Sequence, residues 1–270
     1  MRWNLDLGKL VFNFIVFSII FIIIAPIFLI IVISFSSSGF RLPPSGLTLQ
    51  WYIRALTYTG FRSGLYVSFL LALISSGIST IIGIITSFAL IRCNFKGRDL
   101  ISILFMSPLM IPVVIAGLAL YIFLVRLGVS GGMLALVIGH TILITPYSIR
   151  IVSASLQIFD RSLEEAAMNV GAGSMKTFFW ITLPIIKTGI ISGMMTCFIV
   201  SWNNFALSIF LSGPGTYPLP IQLYSYLKFE WSPTAAALAT FIIFLSGLTI
   251  VVIDRVIGLS VVMGVQNENI

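Results

Sequence analysis

Charge is what this sequence has least of. Only 9% of its 270 residues are Asp, Glu, Lys or Arg, whereas soluble domains carry roughly 25%. So few charges cannot cover a water-facing surface, so the solvent around most of the chain is lipid. Cysteine is nearly absent as well. Cys93 and Cys197 are the two, without metal-ligand spacing or support for a disulfide, and both read as inert thiols. His140 is the one histidine. No Ser/His/Asp set, metal cluster or paired carboxylates lies at membrane depth, which argues against a membrane enzyme. The alternating polarity of a β-barrel is missing. So are the two related halves that many secondary transporters carry.

What is present is hydrocarbon: 59% of the residues are hydrophobic. Charges are costly at the bilayer centre, so uncharged gaps mark spans. Six gaps of helical length predict an all-α polytopic membrane protein, a single transmembrane domain over 1–270. The expected spans are about 10–33, 65–90, 101–125, 133–156, 185–210 and 235–258. The first is longer than a signal-peptide core and lacks a small-residue cleavage site, so it reads as a retained span. The formal charge of +7 fits orientation better than nucleic-acid binding. With the N-terminus inside, ten Lys or Arg lie in inner segments and five in outer ones, which favours cytoplasmic termini. The loop after span one then faces outward, with a turn at Pro43, Pro44 and Gly46 and a short surface helix over 47–56. Six spans without a repeat suggest half of a larger pore, closed by another subunit.

One stretch breaks the pattern. "EEAAMNVGAGSMKTFFWITLPI", 164–185, falls after span four on the expected cytoplasmic side. Its "GAGSMKT" is not a phosphate loop: Met175 precedes Lys176, and Val170 stands where the first glycine should be. Local signals predict a helix capped by Ser162 with Glu165 three places on, ended by Gly171 and Gly173. A second short helix starts at Ser174 and meets Pro184 near the membrane boundary. Such a segment either lies on lipid headgroups or docks a cytoplasmic protein.

The spacing itself carries a resemblance. Glu165-Ala166-Ala167, three residues, Gly171, nine residues, then Ile181-Thr182-Leu183-Pro184 resembles the EAA loop of ATP-binding-cassette (ABC) importer permeases. "SFSSSGF", "GHTILITPYSIRIVSASL" and "LPIQLYSYLKFEWSPTAAALAT" resemble the spermidine/putrescine branch, most of all the permease usually written second. The resemblance implies a type I importer permease fold in a bacterial inner membrane. It implies partners: a second permease in a heterodimer, a cytoplasmic ATPase dimer and an extracytoplasmic solute-binding protein. ATP and Mg would be bound by the ATPase, so this non-catalytic chain would carry no cofactor. Glu165, Ala166, Ala167, Gly171, Leu183 and Pro184 would couple it to that ATPase. The rival reading, a self-contained secondary transporter or channel, predicts transport by this chain alone. A purely structural or receptor protein would not need a glycine-hinged loop.

Polar groups inside spans are candidates for the solute pathway. "SWNNF" places Trp202, Asn203 and Asn204 midway in span five. Adjacent helical residues point about 100° apart, so at least one amide is expected to face the bundle interior; the alternative is hydrogen bonding between helices. Tyr147, beside Pro146, could line the same cavity. For His140 a hydrogen-bonded packing role is favoured over proton relay or ligation. Gly189-x-x-x-Gly193 reads as close helix packing. One departure bears on substrate. Permeases of the polyamine branch tend to carry acidic residues where this chain has Asn203 and Asn204, and no Asp or Glu falls in any span core. A polyamine is therefore one option, with an opine, an amino acid derivative or a phosphonate as others, unless the partner permease supplies the carboxylates.

Overall fold

The computed structural model describes residues 7–41, 43–230 and 232–257. These are helical almost throughout. Two compact units divide the chain: Met1–Arg62 with Leu223–Leu245, and Ser63–Gln222 with Ser246–Ile270.

In the first unit, α1 (Leu7–Phe35) is apolar on every side, and its apolar stretch has no buried part. A helix hydrophobic all round suits a lipid or protein environment, not water. The chain then reverses. Ser36 and Leu47 form an isolated antiparallel bridge, and the expected surface helix forms as α2 (Gln50–Thr57). Two bonds hold α2 to the end of α1: Ser34 Oγ with Tyr52 Oη at 2.7 Å, and Trp51 Nε1 donating to the Ser36 carbonyl at 2.8 Å. Phe61 and Tyr226 pack ring against ring at 5.0 Å.

The second unit is organised around α6 (Met133–Ile158), the most buried of the long helices. It packs on α3 (Thr59–Arg92) and α10 (Lys187–Trp202) through small residues. Along α3, Ser79 and Ser87 donate to the Thr141 and Ile149 carbonyls at 3.3 and 3.0 Å. Between them a Cβ on Gly83 would overlap the Ser148 side chain. Lipid offers no hydrophobic drive for helix association, so this close approach and the hydroxyl bonds supply the attraction. The expected Gly189-x-x-x-Gly193 seam is present: a Cβ on Gly189 would overlap Ser155 of α6, and one on Gly193 would touch Ser148. α11 (Phe205–Leu211) packs on α6 and on α5 (Val113–Arg126), closing a core of Leu136, Leu143, Ile144, Leu207 and Leu211.

Two expected spans are not continuous. α4 (Arg98–Met106) continues through a 3₁₀ turn, Ser107–Leu109. It then bends by 106° into α5. Pro108 and Pro112 explain the break, since each lacks an N–H and Pro112 pushes its predecessor out of helical geometry. The fifth expected span, 185–210, starts at Lys187 after a 69° bend and stops at Trp202, resuming as α11. Asn203 and Asn204 are thus in a break, and the 100° spacing of adjacent helical residues does not apply to them. Among the described residues, three unbroken helices are long and apolar enough to cross a bilayer, or up to five if each bent pair counts as one. The sixth expected span falls on α13 (Thr234–Ile257), which follows α12 (Leu219–Phe229). Residue 258 and the chain ends expected in the cytoplasm, 1–6 and 258–270, lie outside the described residues.

Candidate functional site

The glycine-punctuated stretch folds as α7 (Ser162–Asn169), a turn, and α8 (Ser174–Thr177). The cap is not the expected one. Arg161 precedes the helix, and the Asp160 carboxylate accepts from the Ser162 N–H at 2.9 Å. That N–H, with the Ser162 hydroxyl, holds the Asp160 carboxyl below its usual pKa. Glu165 does not reach back to a cap; it pairs with Arg161 at 3.2 Å across one helical turn. Ser174 likewise makes no cap bond.

The end of α7 explains the spacing of the motif. Gly171 has φ +94°. Its N–H donates to the Met168 carbonyl at 3.0 Å, and the Ala172 N–H donates to the Ala167 carbonyl at 3.0 Å. This is the paired closure of a left-handed helix cap. It requires the glycine four positions after the last alanine of the triplet.

Glu164 is the residue that sequence reasoning passed over. It is 6% exposed. One carboxylate oxygen lies 2.9 Å from Arg92 Nε, at the end of α3. The other accepts from the Thr182 hydroxyl at 2.6 Å. Thr182 closes a π-helical turn, Phe178–Thr182, that leads through α9 (Leu183–Ile185) to α10. With Glu164 turned inward, the opposite side of the loop is bare. Glu165 and Ala166 are exposed and Ala167 is half-buried, and Val170, Trp180 and Met175 are 87%, 81% and 69% exposed. A cleft of about 430 Å³ beside them is lined by Ala172, Lys176, Thr177, Trp180 and Ile181. Leu183 is half-buried and Pro184 exposed.

The candidates within the bundle divide. His140 is fully buried, with Nδ1 2.8 Å from Ser201 Oγ and Nε2 3.0 Å from Ser208 Oγ. It therefore bridges the two half-helices across the break, the packing arrangement the sequence favoured. Asn204 caps α11, its Oδ1 accepting from the Leu207 N–H at 2.9 Å. Asn203 is exposed, with its amide donating to the Ile199 carbonyl at 3.3 Å. Trp202 is buried and stacks on Phe198 at 5.9 Å. Tyr147, two turns along α6 from His140, packs half-buried against the core. Replacing His140 by alanine strands the Ser201 hydroxyl, leaves Ser208 only its bond to the Asn204 carbonyl and empties the imidazole's site, at about 2–4 kcal/mol. We expect a lower melting temperature of the purified protein; an unchanged one would contradict this bridging role.

The family model for the binding-protein-dependent transport system inner membrane component matches residues 79–261. The chain belongs to this family. The putrescine transport system permease protein PotI of Escherichia coli is 34% identical over 226 residues, 81% of this chain and 80% of that protein. The spermidine/putrescine transport system permease protein PotC of the same organism is 30% identical over 233 residues, covering 86% and 88%. In fold, the permease superposes on a chain of a bacterial ABC transporter that imports alginate. That match has TM-score 0.73 and 16% identity, over 94% of this chain and 98% of the other. The resemblance read from Glu165 to Pro184 is borne out. This is a membrane permease subunit of an ABC importer, not an enzyme, and the self-contained transporter is not favoured.

Proposed function

We propose that this permease builds half of a solute pathway in a bacterial inner membrane and that a second, non-identical permease completes it. Ser162–Thr177 docks in a groove of a cytoplasmic ATPase dimer, which binds ATP and Mg. Solute arrives from an extracytoplasmic binding protein. Both chain termini are cytoplasmic, in keeping with the excess of Lys and Arg in the inner segments. The observation that carries the docking assignment is the two-sided loop: its inner face is fixed by a buried ion pair, and its outer face exposes apolar side chains. An exposed apolar patch marks a protein or a membrane contact, and membership of a binding-protein-dependent transport family favours the protein. Small Ala166 and Ala167 permit close approach, Gly171 sets the angle of α8, and Leu183 and Pro184 carry the motion toward α10.

ATP binding closes the ATPase pair and displaces the docked loops, and the permeases rock between inward- and outward-facing states. Moving such an equilibrium nearly fully takes about 5.5 kcal/mol of differential binding. The solute is small and polar, of the polyamine or amino-acid-like kind. The polyamine relatives favour the first. The amides at Asn203 and Asn204, in place of carboxylates, favour an opine or amino acid derivative unless the second permease contributes the acids. Trp202, Tyr147 and His140 shape the pathway around them.

The test is Glu165→Lys. The change replaces an exposed pair, worth about 0.3–0.5 kcal/mol, with a like-charge pair to Arg161 of similar cost, which α7, held by the buried Glu164, survives. Retention of the ATPase on the purified permease should fall at least roughly tenfold, about 1.4 kcal/mol in binding. Full retention with normal ATP-driven uptake would reject the docking surface.

A further inference from the structure

A push on a short surface helix must reach the spans to move them. Among the described side chains Glu164 is the one buried carboxylate, and its partners come from different elements. Arg92 is the last residue of α3. Besides Glu164, its guanidinium donates to the Phe159 carbonyl at 3.5 Å and lies 5.4 Å from the Phe159 ring centroid. Phe159 directly follows α6. Thr182 belongs to the π turn that feeds α10. One carboxylate therefore joins α7 to the end of α3 and to the segment preceding α10, and through Arg92 to the end of α6. The Arg92 and Glu164 side chains are 12% and 8% exposed, against 61% and 58% for the neighbouring Arg161–Glu165 pair. Screening leaves the exposed pair little strength, whereas removing one partner of a buried pair strands a charge.

We infer that Glu164 is a positioning residue for transport, clamping the docking helix to Arg92 and Thr182 so that α7 and the ends of three spans move as one piece. The inference rests on the docking reading for its use in transport, though the clamp can be read without it. Glu165, the glutamate of the motif itself, faces outward and is free of this duty.

The experiment places spin labels on the exposed native Cys93, just past α3, and on Met168→Cys of α7; Cys197 is buried and escapes labelling. Distances are read by pulsed electron paramagnetic resonance in phospholipid nanodiscs. The permease is taken alone, and with its ATPase without nucleotide and with ATP plus vanadate. With Glu164 intact we expect one narrow distance in all three. In Glu164→Gln the distribution should broaden roughly twofold or more and become nucleotide-dependent, while the bound ATPase still hydrolyses ATP. The charge swap Arg92→Glu with Glu164→Arg should restore the narrow distance, which a mere folding defect would not permit. Should Glu164→Gln not insert, Thr182→Val, which removes only the hydroxyl bond, takes its place with an intermediate broadening expected. A narrow, nucleotide-independent distance in these variants overturns the clamp. So does a distance that shifts with nucleotide while Glu164 is intact. Failure of the ATPase to bind the unmodified permease would instead sink the docking reading, and the distances in the permease alone would still decide the clamp.

Discussion

Valine at Gly171 should cut this permease from its ATPase while leaving it in the membrane. The reason is local and purely conformational. At φ +94° a Cβ would meet nothing within 4 Å, so no clash is involved. The cost comes from the left-handed backbone, about 1–2 kcal/mol for an ordinary L-residue and more for a β-branched one. The chain can avoid it by giving up the paired bonds from Gly171 and Ala172 to Met168 and Ala167. The direction of α8 is then lost, and with it the shared surface of Val170, Met175 and Trp180. Asparagine tolerates this conformation better than other residues with a side chain. The expected order of ATPase retention is therefore glycine, asparagine, alanine, valine, with valine below roughly a tenth of the native level. Membrane content should stay equal across the series. Equal retention by alanine, asparagine and valine would refute the account.

The second large effect is expected at Gly189, where α10 lies against α6. An added Cβ would fall 2.6 Å from Ser155 Cβ and closer still to its hydroxyl. The Ser155 hydroxyl could rotate, but its Cβ moves only with α6. Gly189→Ala should therefore force the helices apart at about 1–3 kcal/mol, and Gly189→Leu should cost more. For a chain of this size that means a melting temperature lower by roughly 5 °C for alanine. Ser155→Gly, which removes the obstructing atoms, should recover most of the loss in the double variant. Gly77→Ala is the control: its Cβ would meet nothing within 4 Å on α3, and no loss is expected. If Gly189→Ala behaves like Gly77→Ala, the close seam is wrong.

Some of this was legible in the amino-acid order and some could not have been. Gly171 was readable because only glycine fits the backbone there without penalty, so residue identity and conformation coincide. The Gly189–Gly193 seam was readable for the same reason: small residues four apart have few other uses in an apolar helix. The bends were harder. No charge falls between Asp99 and Arg126 or between Lys187 and Lys228, so gaps between charges merged broken helices into single spans. The prolines at 108 and 112 were the available signal for the first bend. At Asn203 and Asn204 the signal was the pair itself, read as helix lining when Asn204 is a cap. The choice between Glu164 and Glu165 had no local signal. Their helical preferences are equal, and the deciding partner, Arg92, lies 72 residues earlier at the end of another helix.

The π turn at Phe178–Thr182 has a consequence for loop length. A wide turn holds one residue more than an α turn, and each residue in a helix accounts for about 100° of rotation. The bulge already absorbs one extra residue, so a further residue inserted between Gly171 and Pro184 would find no such outlet and would swing all that follows by that angle. Thr182 would then point away from Glu164, and Ile186 would leave its buried place beside Val152 and Leu156. The nine-residue interval thus acts as a phase setting, open to substitution but closed to insertion.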